Sequence, residues 1–164
     1  MVTNRPFRPE ADAGDAALAA KLMRQAASAA LAVPVDGQPY AAFTAPAFGD
    51  DGAPLVLASD LSVHGCALGR ALAAGGAASL LFSGDVNSKQ PLKTARLTVQ
   101  GTVLPPSDQD RAAYLAARPE SALYIDFGDM KLYRLALTSA HLVAGFGRAV
   151  TLDPAMIQLS TQNP

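Results

Sequence analysis

The sequence predicts a mainly β fold of the α+β class, in which six or seven antiparallel strands form a sheet or small barrel with short helices packed outside it. Strand-like segments follow one another mostly in hairpin-like succession, without the regular alternation with helices that builds a parallel sheet. The chain has 164 residues, half of them hydrophobic, which suits one domain with its own core.

The N-terminal part predicts a helix and a hairpin. Asp15 is a good N-cap for a helix whose Leu18 and Leu22 lie four residues apart on one face. Residues 28–48 predict two strands around Asp36-Gly37, a pair typical of tight hairpin turns.

The middle of the chain predicts three short strands and one helix. Residues 55–59 form the third strand, and a helix follows from about Ser62 to Ala74, where Gly75-Gly76 end it. Residues 77–83 form an apolar strand, and residues 95–104 alternate most clearly between an apolar and a polar face.

The C-terminal part predicts a third helix and two more strands. Ser107 and Asp110 have the spacing of a capping box, and the helix that they open ends before Pro119. Residues 130–138 and 140–150 predict two separate strands.

The domain organisation follows from these elements. We expect an extended arm at 1–14 that is flexible or contacts a partner, one domain at 15–153, and a loose tail at 154–164. The arm has no apolar core of signal-peptide length, and no run approaches the roughly 20 apolar residues of a membrane-spanning helix. A cytoplasmic location is therefore expected.

Charge and composition exclude several classes of function. The formal net charge of −1 gives no electrostatic case for binding nucleic acid or an anionic membrane. Cys66 is the sole cysteine, so an intrachain disulfide and a cysteine zinc site are excluded, and we expect it to be buried in the second helix as a small hydrophobe. With only His64 and His141, a histidine-rich metal site is not expected either.

The stretch SDLSVHG, residues 59–65, is a candidate anion site. A helix N-terminus offers unpaired N–H groups, and Ser59, Ser62 and His64 add side-chain donors. The alternative, which the spacing alone favours, is that Ser62 only caps the helix and His64 lies on the surface. Asp60 opposes an anion unless its carboxylate turns away.

Other polar residues are less specific. Arg96 suits a phosphate or a flat π system, or is an ordinary exposed arginine. His141 could be an axial haem ligand, although such a residue is more often a structural hydrogen-bonder. Asp126 and Asp129 are predicted turn residues and not a catalytic pair. The glycines of residues 145–150 lack the third glycine and the following βαβ unit of a dinucleotide site.

The order and spacing of the segments resemble a known family. ALAVPVDGQPYAAF, LASDLSVHGCALGRAL, ASLLF, ARLTVQG, AAYLAARPES, FGDMKLYRL and HLVAGFGRA follow one another over roughly residues 17–152. They resemble the pyridoxamine 5'-phosphate oxidase-related, FMN-binding split-barrel family, close to the short form of its haem-utilisation branch. The resemblance implies a Greek-key split β-barrel and a homodimer with FMN at its interface.

The resemblance also implies the site. The flavin phosphate would lie at residues 59–64, the flavin edge against backbone groups of residues 42–44, and Arg96 would make a polar flavin contact. The implied cofactor-binding residues are Ala42, Phe43, Thr44, Ser59, Leu61, Ser62, His64 and Arg96. No catalytic residue and no metal ligand is implied, apart from His141 if haem binds.

Three departures from the family shape the functional prediction. Val63-His64 stands where the oxidases have Arg-Lys, Ala67 stands where haem-utilisation relatives often have asparagine, and the C-terminal Trp and Arg segment of the oxidase substrate site has no counterpart. We therefore predict an FMN-dependent oxidoreductase that acts on a small-molecule substrate or electron donor and is not a genuine pyridoxamine-phosphate oxidase. The alternatives are a haem-binding, haem-utilisation protein with His141 as ligand, and a cofactor-poor binding module.

Overall fold

The computed structural model describes residues 9–84, 89–145 and 147–157. Their secondary structure comprises α1 (Ala13–Gln25), β1 (Ala29–Val35), β2 (Gln38–Thr44), β3 (Ala47–Phe48), β4 (Pro54–Ser59), α2 (Val63–Ala74), β5 (Ala77–Ser83), β6 (Arg96–Leu104), α3 (Asp108–Ala117), β7 (Met130–Gly145) and β8 (Arg148–Leu152), with 3₁₀ turns at Pro91–Lys93 and Pro119–Leu123. Most of the predicted arm and tail, residues 1–8 and 158–164, lies outside the described residues.

The strands form one antiparallel sheet that curves into a split barrel, as predicted. The strand order is β2-β1-β5-β6-β7-β4-β3, and β8 pairs with β7 beyond the end of β4. Helices α1 and α2 pack against the concave inner face of this sheet. No helix of the described residues is long and apolar enough to cross a membrane.

The first hairpin confirms the turn prediction. Asp36 and Gly37 both have positive φ, 50° and 77°, as a two-residue turn of this type requires. The β1–β2 pairing then runs without a break from Val35 opposite Gln38 to Ala29 opposite Thr44. The return strand ends earlier than predicted, because Ala47–Phe48 leave β1 and pair with β4.

The prediction of two strands within 130–150 is wrong, because β7 is continuous from Met130 to Gly145. Its alternation shifts at Thr138, an extra residue opposite the Gln100–Gly101 step of β6. Such a bulge bends a strand without ending it. The chain reverses only at Gly145 and Gly147, which both have positive φ.

The first helix begins earlier than predicted. Asp12, not Asp15, is the N-cap, and Asp15 completes a capping box at the third helical position. The starts of the other two helices agree with the sequence, since Ser62 caps α2 and Ser107 forms a capping box with Asp110 at α3.

The core extends beyond the predicted domain boundary. The inner face of the sheet buries large side chains such as Leu80, Phe82 and Leu142. Residues 154–157 form a helical turn, and Ile157 is 0% exposed in this core. The prediction of a loose tail after Asp153 is therefore wrong for these four residues.

Candidate functional site

In the turn between β4 and α2, the hydroxyl groups of both serines make hydrogen bonds within the protein. Ser59 Oγ donates to Asp129 Oδ2 at 2.5 Å and accepts from the amide of Leu61 at 3.0 Å. Ser62 Oγ donates to the Ser59 carbonyl at 2.7 Å and accepts from the amide of Gly65 at 3.0 Å. Ser62 therefore caps the helix, and the Ser59 proton is committed to Asp129.

The start of α2 lies unusually close to the end of β4. A Cβ on Gly65 would come within 2.0 Å of the Ser59 carbonyl oxygen, which only a shift of the backbone could relieve. A glycine at this position is therefore what allows the helix to begin directly against the strand.

Asp60 directs its carboxylate towards the protein interior. Asp60 Oδ1 lies 3.4 Å from the hydroxyl of Tyr133, which also lies 3.4 Å from the Gly65 carbonyl. Burial, followed by the nearby charge of Asp60, raises the pKa of Tyr133 to about 12, so its phenol stays a neutral donor. The condition that Asp60 turns away from the helix start is met by this contact.

The first turn of α2 has backbone N–H groups that are available to bind an anion. The amides of Val63 and His64 precede the capped amide of Gly65 and have no acceptor within a regular helix. His64 is half-buried, with Nε2 3.5 Å from Ser62 Oγ. Leu61, also predicted at the site, is 87% exposed beside this turn. The residues present fit a phosphate group, held by two amides and an imidazole.

Strand β2 is an edge strand. Within the described residues it pairs with β1 alone, so its other side carries unpaired backbone donors and acceptors. Ala42 and Thr44 point to the inner face, and Phe43 points outward with 83% of its surface exposed. These backbone groups fit the hydrogen-bonding edge of a flat ring.

Phe43 and His141 lie on the same outer face of the sheet. The pairings Phe43–Ala30, Ala30–Leu81, Leu81–Thr98 and Thr98–His141 form one row across five strands. At roughly 4.8 Å per strand, this row is about 19 Å long. Small or apolar side chains dominate it, as a surface that receives a flat molecule or a second copy would require.

Arg96 lies on this outer face, two residues before Thr98. Its guanidinium donates to the carbonyl oxygens of Leu92 and Thr94, at 3.2 and 3.3 Å. The predicted residues thus fall into two groups, one at the turn before α2 and one on β2 and the outer face of the sheet. No hydrogen bond in the described part of the chain links the two groups.

Three residues near the turn have roles or positions that the sequence does not predict. Asp129 is a turn residue, as predicted, but it also accepts from Ser59 across 70 positions. Tyr133 carried no signal beyond its place on a strand. Cys66 is exposed, not buried, and its thiol donates to the Asp60 carbonyl at 2.8 Å. No group of three or more His, Cys, Asp or Glu among the described residues could hold a metal ion.

Comparisons with known proteins support the fold. No protein-family model and no curated protein matches the chain significantly. A haem-binding protein from Mycobacterium smegmatis is 26% identical, with a TM-score of 0.78 over 93% of this chain and 62% of its own. A second solved structure is 29% identical, with a TM-score of 0.76 over 91% of this chain and 99% of its own.

A more distant solved structure has the same fold. A protein from Clostridium acetobutylicum, of the pyridoxinephosphate oxidase family, has a TM-score of 0.66 at 15% identity, over 90% of this chain and 99% of its own. The chain spans less than two thirds of the M. smegmatis protein. It has the split-barrel fold of these structures, which include proteins of the pyridoxamine 5'-phosphate oxidase family.

Proposed function

We propose that the protein is a homodimeric FMN-binding oxidoreductase, with the flavin phosphate at the turn before α2 and the flavin ring against the edge of β2. The observation that carries the proposal is the helix start, where the first-turn amides of Val63 and His64 have no acceptor within the helix while Asp60 hydrogen-bonds with Tyr133. Bound FMN would supply the electron-transfer chemistry, and the chain would supply its binding and orientation.

The phosphate would be held by the amides of Val63 and His64 and by the His64 side chain. A helix N-terminus favours an anion through these amides and through the positive end of its dipole. The Ser62 hydroxyl can add a donor by rotating away from the Ser59 carbonyl. Ser59 itself is a weaker candidate than the sequence suggests, because its proton is bound by Asp129.

The flavin ring would lie against the edge of β2. Unpaired backbone groups at Ala42–Thr44 match the donors and acceptors on the ring edge, and Phe43 offers an exposed aromatic surface. Arg96 would contribute a polar contact from the same face. A second copy covering the outer face would exclude water from the ring. The substrate would be a small-molecule reductant or oxidant, and a cytoplasmic location stays a prediction.

Haem is the second candidate, because His141 lies on the outer face in one cross-strand row with Phe43. The M. smegmatis structure, 26% identical, is that of a haem-binding protein. An imidazole beside an exposed apolar surface is a suitable axial ligand for haem iron. His141 would then hold the iron, with the macrocycle against the small residues of β1 and β5.

FMN fluorescence quenching tests the first candidate. We expect micromolar binding to the wild type and a loss of roughly tenfold to 150-fold for His64→Ala, since a hydrogen bond to a charged group contributes about 1.5–3 kcal/mol. Ser62→Ala should weaken binding further, because it loosens the helix start. Ser107→Ala removes the equivalent cap of α3 and should leave FMN affinity unchanged.

Haemin titration separates the two candidates. Haem binding is supported over FMN binding if the Soret band disappears in His141→Ala, persists in His64→Ala, and FMN fluorescence is not quenched. No response to either cofactor would leave the binding-module alternative. Light scattering of the same samples tests the homodimer, and a monomer with tightly bound FMN would contradict the interface.

A further inference from the structure

We propose that the cavity between α2, α3 and β7 binds a small aromatic amine, with the ring against its apolar wall and the ammonium group at Asp60. This cavity lies beside the proposed flavin site and shares with it only the turn that carries Asp60. It lies along the stripe of α2 formed by Gly69 and Leu72, and the proposal stands whether or not FMN binds.

The cavity has the size and lining of a small-molecule site. Its volume is about 520 Å³, within the range of roughly 300–1,000 Å³ common for ligand pockets. The apolar part of its wall is formed by Leu72, Ile125, Met130 and Leu132. A single aromatic ring would pack one face against these side chains.

Gly69 keeps the cavity open. It lies inside α2, where glycine is unfavourable, yet a Cβ there would meet only the Tyr133 hydroxyl, at an ordinary 3.5 Å. Packing thus permits alanine, and a longer side chain would project into the cavity. The glycine is explained by the space that it leaves, not by a close contact of the kind that Gly65 makes.

The polar groups of the cavity favour a cation. Asp60 forms no ion pair within the described residues, and its side-chain partner is the neutral Tyr133 hydroxyl at 3.4 Å. Asp108 adds a second carboxylate to the lining. An ammonium group would give Asp60 the charged partner that a carboxylate in an apolar pocket needs.

The two cations of the lining do not reverse this balance. Arg111 is paired with Asp126 at 2.6 Å, which leaves that pair neutral. Lys131 is exposed and donates to the Gly128 carbonyl at 3.2 Å. Among the described residues, the lining therefore has two carboxylates that form no ion pair, Asp60 and Asp108, and one such ammonium group, Lys131. This negative balance favours an amine over a carboxylate ligand.

The test compares three probes of one shape on the purified full-length protein. Benzylamine, benzyl alcohol and benzoate are titrated at millimolar concentration, and binding is followed by NMR chemical-shift changes. We expect benzylamine to bind most tightly and benzoate most weakly. Tighter binding of benzoate, or no binding of benzylamine, would overturn the proposal.

Three variants locate the site. Asp60→Asn keeps the acceptor for Tyr133 and removes the charge, so it should weaken benzylamine at least tenfold and leave benzyl alcohol unchanged. Gly69→Leu fills the cavity and should abolish binding of both, whereas Gly69→Ala should retain it. Melting curves establish that each variant is folded. Undiminished benzylamine binding to folded Gly69→Leu would contradict the assignment.

Discussion

Arg148 and Asp15 join the last strand of the sheet to the first helix through two parallel hydrogen bonds. Arg148 Nε lies 2.8 Å from Asp15 Oδ1, and Nη2 lies 2.5 Å from Oδ2. Asp15 is 4% exposed, so this carboxylate loses its water and receives the guanidinium in exchange. The pair links residues 133 positions apart and holds the start of α1 against β8.

This pair predicts a pH-dependent stability. The hydrogen bond from Arg148, the largest influence, lowers the pKa of Asp15 in the folded protein, although burial opposes it. A carboxyl whose folded pKa is lowered stabilises the protein above its unfolded pKa, about 3.9, and this contribution is lost as pH falls through the folded value. Asp15→Asn should therefore melt several degrees below wild type at pH 7, with the difference shrinking below about pH 4.

Thermal melts between pH 7 and pH 3 measure this difference. Asp126→Asn is the matched control, because Asp126 forms an exposed ion pair with Arg111. Its melting temperature should stay within about one degree of wild type, as exposed pairs contribute little. If the difference in melting temperature between wild type and Asp15→Asn does not change with pH, the assigned role of the carboxylate is wrong.

Two glycines of α2 predict opposite effects of the same substitution. Gly65→Ala places a methyl group 2.0 Å from the Ser59 carbonyl oxygen, so helix and strand must separate, at a cost of about 1–3 kcal/mol. Gly69→Ala meets only an ordinary contact and should stabilise the helix by roughly 0.5–1 kcal/mol. Urea denaturation of both variants measures the two changes, and equal effects would contradict the close approach at Ser59.

Local signals explain why much of the fold could be predicted. Asp36-Gly37 specifies its turn by itself, and Ser107 with Asp110 specifies the start of α3, because each partner lies within a few residues. Asp12 and Asp15 are chemically equivalent candidates for the cap, so the sequence alone does not separate them. In the folded protein Arg148, which is distant in sequence, contacts both carboxylates.

Non-local pairing explains the remaining errors. The bulge at Thr138 is defined by its partner strand β6, so the sequence around it resembles a break between two strands. At the site, the helix start and its cap were predictable, whereas the bond from Ser59 to Asp129 depends on the β4–β7 pairing. The cavity beside Tyr133 arises from three separate elements and left no pattern in the sequence.

Substitution of the half-buried Arg118 is expected to lower the stability of the protein strongly. Its guanidinium donates to the carbonyl oxygens of Pro46, Ala26 and Ala27, at distances from 2.9 to 3.2 Å. It thereby ties the end of α3 to the two connections that flank the β1–β2 hairpin. Arg118→Met should cost about 1–3 kcal/mol, because partly buried carbonyls lose their donors.

Arg118→Lys and Arg111→Met serve as controls in the same urea experiment. A single ammonium cannot span three carbonyl oxygens, so Arg118→Lys should recover less than half of the loss. Arg111→Met removes an exposed ion pair from the same helix and should change stability by under about 0.5 kcal/mol. Full recovery by lysine would contradict the forked contact.

Ile157 predicts that the segment after β8 is part of the core. The side chain is 0% exposed and packs with the main cluster that includes Met23 and Leu152. Ile157→Ala should destabilise the protein by about 2–4 kcal/mol, since it removes buried methyl groups and leaves a cavity. Leu123→Ala, at a position 80% exposed, is the control and should have little effect. Denaturation curves that overlay for wild type and Ile157→Ala would mean that this segment does not cover the core in solution.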